Sequence, residues 1–275
     1  MSEAMTQLPD GTSLNVVDVG TGYPVIFQHG LGGDRHQVAD SFPEPIACRR
    51  VTVECRGHGL SDKAAVERYS IAGFADDIIA AADSLGLQRF IVGGISMGAA
   101  IALRLAITRP ERIAALMLVR PAWLTEPAPD NMRPFAEAAT LLHTHGREGR
   151  EIFASSPTGI RLATEAPDNL ASLLGFFERD DLHALGDLLG AIALDGPGVT
   201  EEQVRALSIP ALVVGHTHDL VHPWAYARQL AGIIPGARWA EITPKAVDKA
   251  RYAADLRAVM DAFLRKFAAS EETRT

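Results

Sequence analysis

The residues best suited to chemistry are five in a row, Gly94-Ile95-Ser96-Met97-Gly98, in the spacing G-x-S-x-G. Their setting says more than the pattern. An apolar, strand-forming run, Phe90-Ile91-Val92-Gly93, leads into them, and a helix-forming run, Ala99-Ala100-Ile101-Ala102-Leu103, follows. A strand that turns sharply into a helix forces the serine into a strained backbone conformation. The residues two before and two after it must then be almost free of side chain, so that strand and helix can approach. The hydroxyl stands at a helix N-terminus, where unpaired N–H groups and the positive end of the helix dipole favour an oxyanion. The chemistry on offer is attack of Ser96 on a carbonyl carbon, which needs a base close by.

The surrounding elements can be read from their rhythm. Asp10-Gly11 is a hairpin turn between Met5 to Leu8 and the alternating run Ser13 to Val19, an antiparallel pair at a sheet edge. Short β-rich runs then recur at Pro24 to Gln28, Arg50 to Glu54, Arg89 to Gly93, Ala115 to Val119, Ala211 to Gly215 and Arg238 to Ile242. Helical patterns fall at Ile71 to Leu85, Met97 to Thr108, Trp224 to Ile233 and Lys249 to Phe267. This alternation predicts a parallel sheet covered by helices. From about Pro121 to Leu207 it stops: apolar stripes such as Phe135, Ala139, Leu142 and Leu182, Leu185, Leu189 predict three or more amphipathic helices, an inserted helical cap. The polar tail from Ser270 to Thr275 is expected to fray.

With the elbow in this context, the sequence resembles the α/β-hydrolase family over nearly the whole chain outside the cap. Three further segments carry the resemblance: Phe27-Gln28-His29-Gly30-Leu31-Gly32-Gly33, Arg56-Gly57-His58-Gly59-Leu60-Ser61-Asp62, and Ile209 to Gly215 followed by Asp219. The first is similar to the family's oxyanion loop, which implies that the Leu31 and Met97 backbone N–H groups hold the oxyanion. The second is similar to a loop of esterases, lactonases and C–C bond hydrolases, and the third to the strand and loop that deliver the triad acid, here Asp219. The resemblance implies a mostly parallel eight-stranded sheet with helices on both faces. It divides the chain into a core domain, residues 1–120 and 208–275, and a helical cap, residues 121–207. The implied activity is cofactor-independent hydrolysis of a small carboxylic ester or lactone; enol-lactonase-like wording at His29 to Asp34 and Arg56 to Asp62 suggests the lactone.

One part of the pattern is missing. The fold expects its histidine in the loop between the last strand and last helix, here Thr243-Pro244-Lys245-Ala246-Val247-Asp248, and none of the nine histidines lies beyond His222. Two substitutes are open: His222, three residues after Asp219 on the loop expected to face the serine, and Lys245, beside the vacant position, since Ser-Lys pairs also serve as nucleophile and base. His143, His145 and His183 belong to the cap and would mostly face solvent. His29 and His58 are expected at the pocket mouth, Arg56 as a loop-fixing arginine, and Arg120 within reach of the pocket, with Trp123, Trp224 and Trp239 packing core or cap. The vacancy also supports an alternative, a protein of this fold that has left hydrolysis for proton-transfer, isomerase or lyase chemistry, or for ligand binding without turnover.

Composition narrows the partners. Thirty-four acidic against 26 basic residues give a net charge of −8 with no basic track, which argues against nucleic acid. The start Met1-Ser2-Glu3-Ala4-Met5 has no leader-like pattern and no apolar run nears the roughly 20 residues that span a bilayer. A cytoplasmic protein with a small-molecule substrate and no membrane partner is expected. Cys48 and Cys55 read as reduced, buried thiols. No metal site is implied, because His216, His218, Asp219 and His222 are neighbours in sequence without a further convergent ligand.

Overall fold

The computed structural model describes residues 2–44 and 48–272. The strands are β1 (Ser2–Gln7), β2 (Ser13–Val19), β3 (Tyr23–Gln28), β4 (Cys48–Val53), β5 (Phe90–Ile95), β6 (Ile113–Val119), β7 (Ala211–Gly215) and β8 (Arg238–Glu241). They form one eight-stranded sheet in the order β1-β2-β4-β3-β5-β6-β7-β8. The β1/β2 and β2/β4 pairs are antiparallel and all others parallel, so the sheet is mixed, with a parallel block of six strands.

The apolar content of the central strands explains their position. Every residue of β5, β6 and β7 is buried, because helices cover both faces. Side chains alternate between two cores: Leu116 and Leu118 of β6 face one, Ala115, Met117 and Val119 the other. The first core is closed by α2 (Ile71–Ser84), α3 (Met97–Thr108) and α10 (Trp224–Ile233), the second by α1 (Arg35–Ser41) and α11 (Lys249–Glu272). The helix α1 is absent from the reading of the sequence: it has seven residues, an Asp34 cap and a single buried side chain, Val38, too little to make a visible stripe. Residues 270–272 continue α11 instead of fraying, and residues 273–275 lie outside the described residues.

Between β6 and β7 the chain forms α4 (Arg133–His145), α5 (Gly149–Ser155), α6 (Pro157–Glu165), α7 (Pro167–Leu174), α8 (Leu182–Leu194) and α9 (Glu201–Arg205), with no strand. Pro157 and Pro167 occupy the first helical position of α6 and α7, where a missing N–H costs nothing. Among the described residues no helix is long and apolar enough to cross a membrane. Cys48 and Cys55 are free and buried.

Candidate active site

Four adjacent parallel strands, β3, β5, β6 and β7, end on the same side of the sheet, and the loops that follow them supply the site. Ligands of open α/β sheets bind at this carboxyl edge. Ser96 follows β5 with φ 57° and ψ −111°, a left-handed conformation that a non-glycine residue adopts only when its surroundings impose it. Sequence explains the imposition. A Cβ on Gly94 would lie 2.5 Å from the backbone of Gly98, and one on Gly98 would lie 2.5 Å from the Gln28 carbonyl oxygen. Only glycines allow α3 to leave this close to β5 and β3.

The loop after β3 lies against the serine. Within it Gly30 N–H donates to Gln37 Oε1 (2.7 Å), Gly32 N–H to His58 Nε2 (3.1 Å) and Gly33 N–H to the Gly30 carbonyl (2.9 Å). Among the described residues the N–H groups of Leu31 and Met97 have no such acceptor, as an oxyanion hole requires.

His29 and His58, expected at the pocket mouth, are instead buried behind this loop and do not line the cavity at Ser96. Each ring accepts a backbone N–H through Nε2, His29 from Cys55 and His58 from Gly32, while Nδ1 faces a carbonyl, of Gly30 and Arg56 respectively. Burial pushes both pKa values down, His58 well below the ordinary range with its neighbour His29 adding to the effect, so both rings are neutral braces. Arg56 fixes the second loop: Nε and Nη2 each donate to the Asp77 carboxylate at 2.6 Å. Trp123 is buried in the core, and Trp224 meets Trp239 edge to face at 6.2 Å.

The loop after β7 brings the ionisable groups together. Asp219 is buried, and Arg120, at the end of β6, donates to its Oδ2 through Nε (2.9 Å) and Nη2 (2.6 Å). His222 donates its backbone N–H to Asp219 Oδ1 at 3.0 Å, and its Nδ1 stands 2.9 Å from both carboxylate oxygens. Burial alone would raise the Asp219 pKa, but Arg120 and His222 hold it well below the usual carboxylate range. Burial lowers the His222 pKa; Asp219 opposes this and Arg120, 3.1 Å from Nδ1, reinforces it. Nδ1 cannot both donate to Asp219 and accept from Arg120. The tautomer with its proton towards the carboxylate leaves Nε2 with a lone pair, and the other does not.

A cavity of about 90 Å³ joins these parts. Its wall includes Leu31, Ser96, Arg120 and His222 from the core, and Phe135, Asp168, Asn169 and Phe176 from the helical insertion. The vacant histidine position is turned outward, with Ala246 and Val247 exposed, while Lys245 reaches the cavity wall. Its Nζ pairs with Asp168 Oδ1 at 3.1 Å, tying the last loop to α7.

Asn169, which nothing in the sequence marks, and His216, set aside there as a metal ligand, both pack against the Asp219 loop. Asn169 Oδ1 accepts the N–H groups of Leu220 and Val221 (2.9 and 3.0 Å), and so docks α7 on the Asp219 loop. His216 is buried beside Asp219 with Nε2 3.7 Å from Oδ2, edge-on to Tyr252. Burial, aided by Arg120, pushes its pKa down to about 4.

A family profile of the α/β-hydrolase fold matches residues 23–148. RutD of Pseudomonas syringae pv. syringae (strain B728a), provisionally named a carbamate hydrolase, is 30% identical over 224 residues, covering 78% of this chain and 82% of that protein. The 2-hydroxymuconate semialdehyde hydrolase of Pseudomonas putida is 28% identical over 251 residues, 84% of this chain and 83% of its own. Among solved structures, the enol-lactonase from Burkholderia xenovorans LB400 superposes with a TM-score of 0.70 at 25% identity, covering 95% of this chain and all of that one. The chain, with its strained serine between β5 and α3 and its mixed eight-stranded sheet, belongs to the α/β-hydrolase family.

Proposed function

We propose that the protein is a cofactor-independent serine hydrolase of a small carboxylic ester or lactone, acting in the cytoplasm with residues 121–207 as a cap over the site. The observation that carries this reading is the shared cavity of Ser96 and His222, with the Asp219 carboxylate on Nδ1 of that histidine. His222 Nε2 takes the Ser96 proton as the oxygen attacks the substrate carbonyl. The Leu31 and Met97 N–H groups receive the oxyanion, and the resulting imidazolium protonates the leaving alkoxide. A water activated by the same nitrogen then releases the acid. Acid and base thus come from one turn after β7, where the family's usual arrangement draws its histidine from the loop after β8. The small cavity favours short acyl groups.

Lys245, the other candidate base, directs its ammonium at Asp168 and serves better as a wall and clamp. Arg120 supports the second reading, a protein that has left hydrolysis. It neutralises Asp219 and competes for His222 Nδ1, which weakens the acid's hold on the base. A serine-directed fluorophosphonate separates the two. Labelling of the wild-type protein that disappears in Ser96→Ala supports the hydrolase, whereas a folded protein that neither labels nor cleaves activated acetate esters favours the second reading.

A further inference from the structure

On the outer side of the helical insertion, away from the Ser96 cavity, two histidines and a carboxylate converge from neighbouring helices. His143 is in the last turn of α4, and His183 and Asp187 are one turn apart on α8, so their side chains project from the same face. His143 Nε2 lies 3.4 Å from Asp187 Oδ1 and His183 Nδ1 lies 3.5 Å from Asp187 Oδ2. The two rings meet edge to face at 4.5 Å, and one ligand atom from each residue falls within 4.8 Å of the others.

We propose that His143, His183 and Asp187 bind a divalent transition-metal ion of the zinc type and thereby clamp α4 to α8. A tetrahedron with metal–ligand bonds of about 2.0–2.1 Å has edges of about 3.3–3.4 Å. Each histidine nitrogen stands near that distance from one Asp187 oxygen, His143 from Oδ1 and His183 from Oδ2. The carboxylate therefore turns one oxygen to the ion or binds through both, and the rings close in from within 4.8 Å. Two imidazoles and a carboxylate suit zinc or nickel over calcium or magnesium, which take oxygen ligands. Water would fill the fourth position. A cation is also well placed at the C-terminus of α4, where the helix dipole is negative.

Gly186 supports the assignment independently. It is buried in the interior of α8, where glycine costs about 1 kcal/mol relative to alanine. A Cβ there would come 2.7 Å from His143 Nε2 and 2.9 Å from Cε1. The glycine therefore makes the space that lets the ring lie against α8 beside Asp187. Because α4 also supplies Phe135 to the cavity wall, the clamp would stiffen part of the roof over Ser96.

The test is titration of chelator-treated full-length protein with zinc chloride at pH 7.5, read by calorimetry and by thermal melting. The expected result is one saturable site per chain and a melting temperature that rises with zinc. His143→Ala, His183→Ala and Asp187→Ala should each weaken binding at least tenfold and remove the rise, and Gly186→Ala should weaken binding by displacing His143. Each variant is melted without metal first, so that a folding defect is seen as such; Asp187→Asn, which keeps the size of the side chain, serves if Asp187→Ala does not fold. No saturable site in the wild type would overturn the proposal, as would undiminished binding in folded His143→Ala/His183→Ala protein.

Discussion

Burial of His216 should make the protein sensitive to mild acid in a way that one substitution removes. The ring is buried against Tyr252, and its Nε2 makes no hydrogen bond among the described residues. Its pKa in the folded protein is about 4, against 6.5 for the ordinary group. Between those limits the unfolded chain binds a proton that the folded chain does not, so stability falls as pH falls, and the loss is complete below pH 4. The whole interval corresponds to about 3 kcal/mol. His29, His58 and His222 shift in the same direction, but they remain in the variant and cancel in a comparison. Asp219 also cancels, since its contribution is lost only as pH falls below the ordinary carboxylate range. His216→Phe keeps a ring against Tyr252 and removes the titrating group. Urea denaturation of both proteins from pH 7 to pH 4.5 should show the wild type losing about 2–3 kcal/mol more than the variant. Activity at pH 7.5 should stay within a few-fold, because His216 does not line the cavity. Parallel stability curves would refute the assignment of this acid sensitivity to His216.

Other substitutions probe the frame and the charge network. Gly98→Ala puts a methyl group 2.5 Å from the Gln28 carbonyl oxygen and 2.8 Å from that of His29, both backbone atoms that lead into the loop after β3. It should cost about 1–3 kcal/mol in urea unfolding and reduce ester cleavage by more than this loss of stability explains. Arg120→Met leaves the Asp219 carboxylate, only 1% exposed, without its cation, at a cost of about 3–5 kcal/mol at neutral pH. It also removes a positive charge that, after burial, helps to lower the His222 pKa, so the acid limb of kcat/KM should move to higher pH than in the wild type, as a pH–rate profile would record.

Much of the fold and the centre of the site were legible in the sequence, for reasons particular residues make plain. The fully buried strands β5, β6 and β7 are nearly continuous apolar runs, and the elbow glycines sit where a side chain would strike backbone. The insertion was legible as apolar stripes but not as six helices, because Pro157 and Pro167 read as breaks although they open helices. His29 and His58 gave no sign that their rings would brace backbone N–H groups from 26 residues away in each case. Asn169 and Asp168 were invisible as site residues, because only the docking of α7 on the β7 loop gives them partners. The close approach of Arg120 to Asp219 and His222 likewise spans about 100 residues of chain and has no local signature.

The central claim is that His222, held by Asp219, takes the proton from Ser96. Steady-state cleavage of p-nitrophenyl acetate by His222→Ala and by Lys245→Met, both shown to be folded, tests it most directly. The expected fall in kcat is at least about a hundredfold for His222→Ala and less than about tenfold for Lys245→Met. A His222→Ala enzyme that keeps its turnover, or a Lys245→Met enzyme that loses it, would rule out His222 as the base.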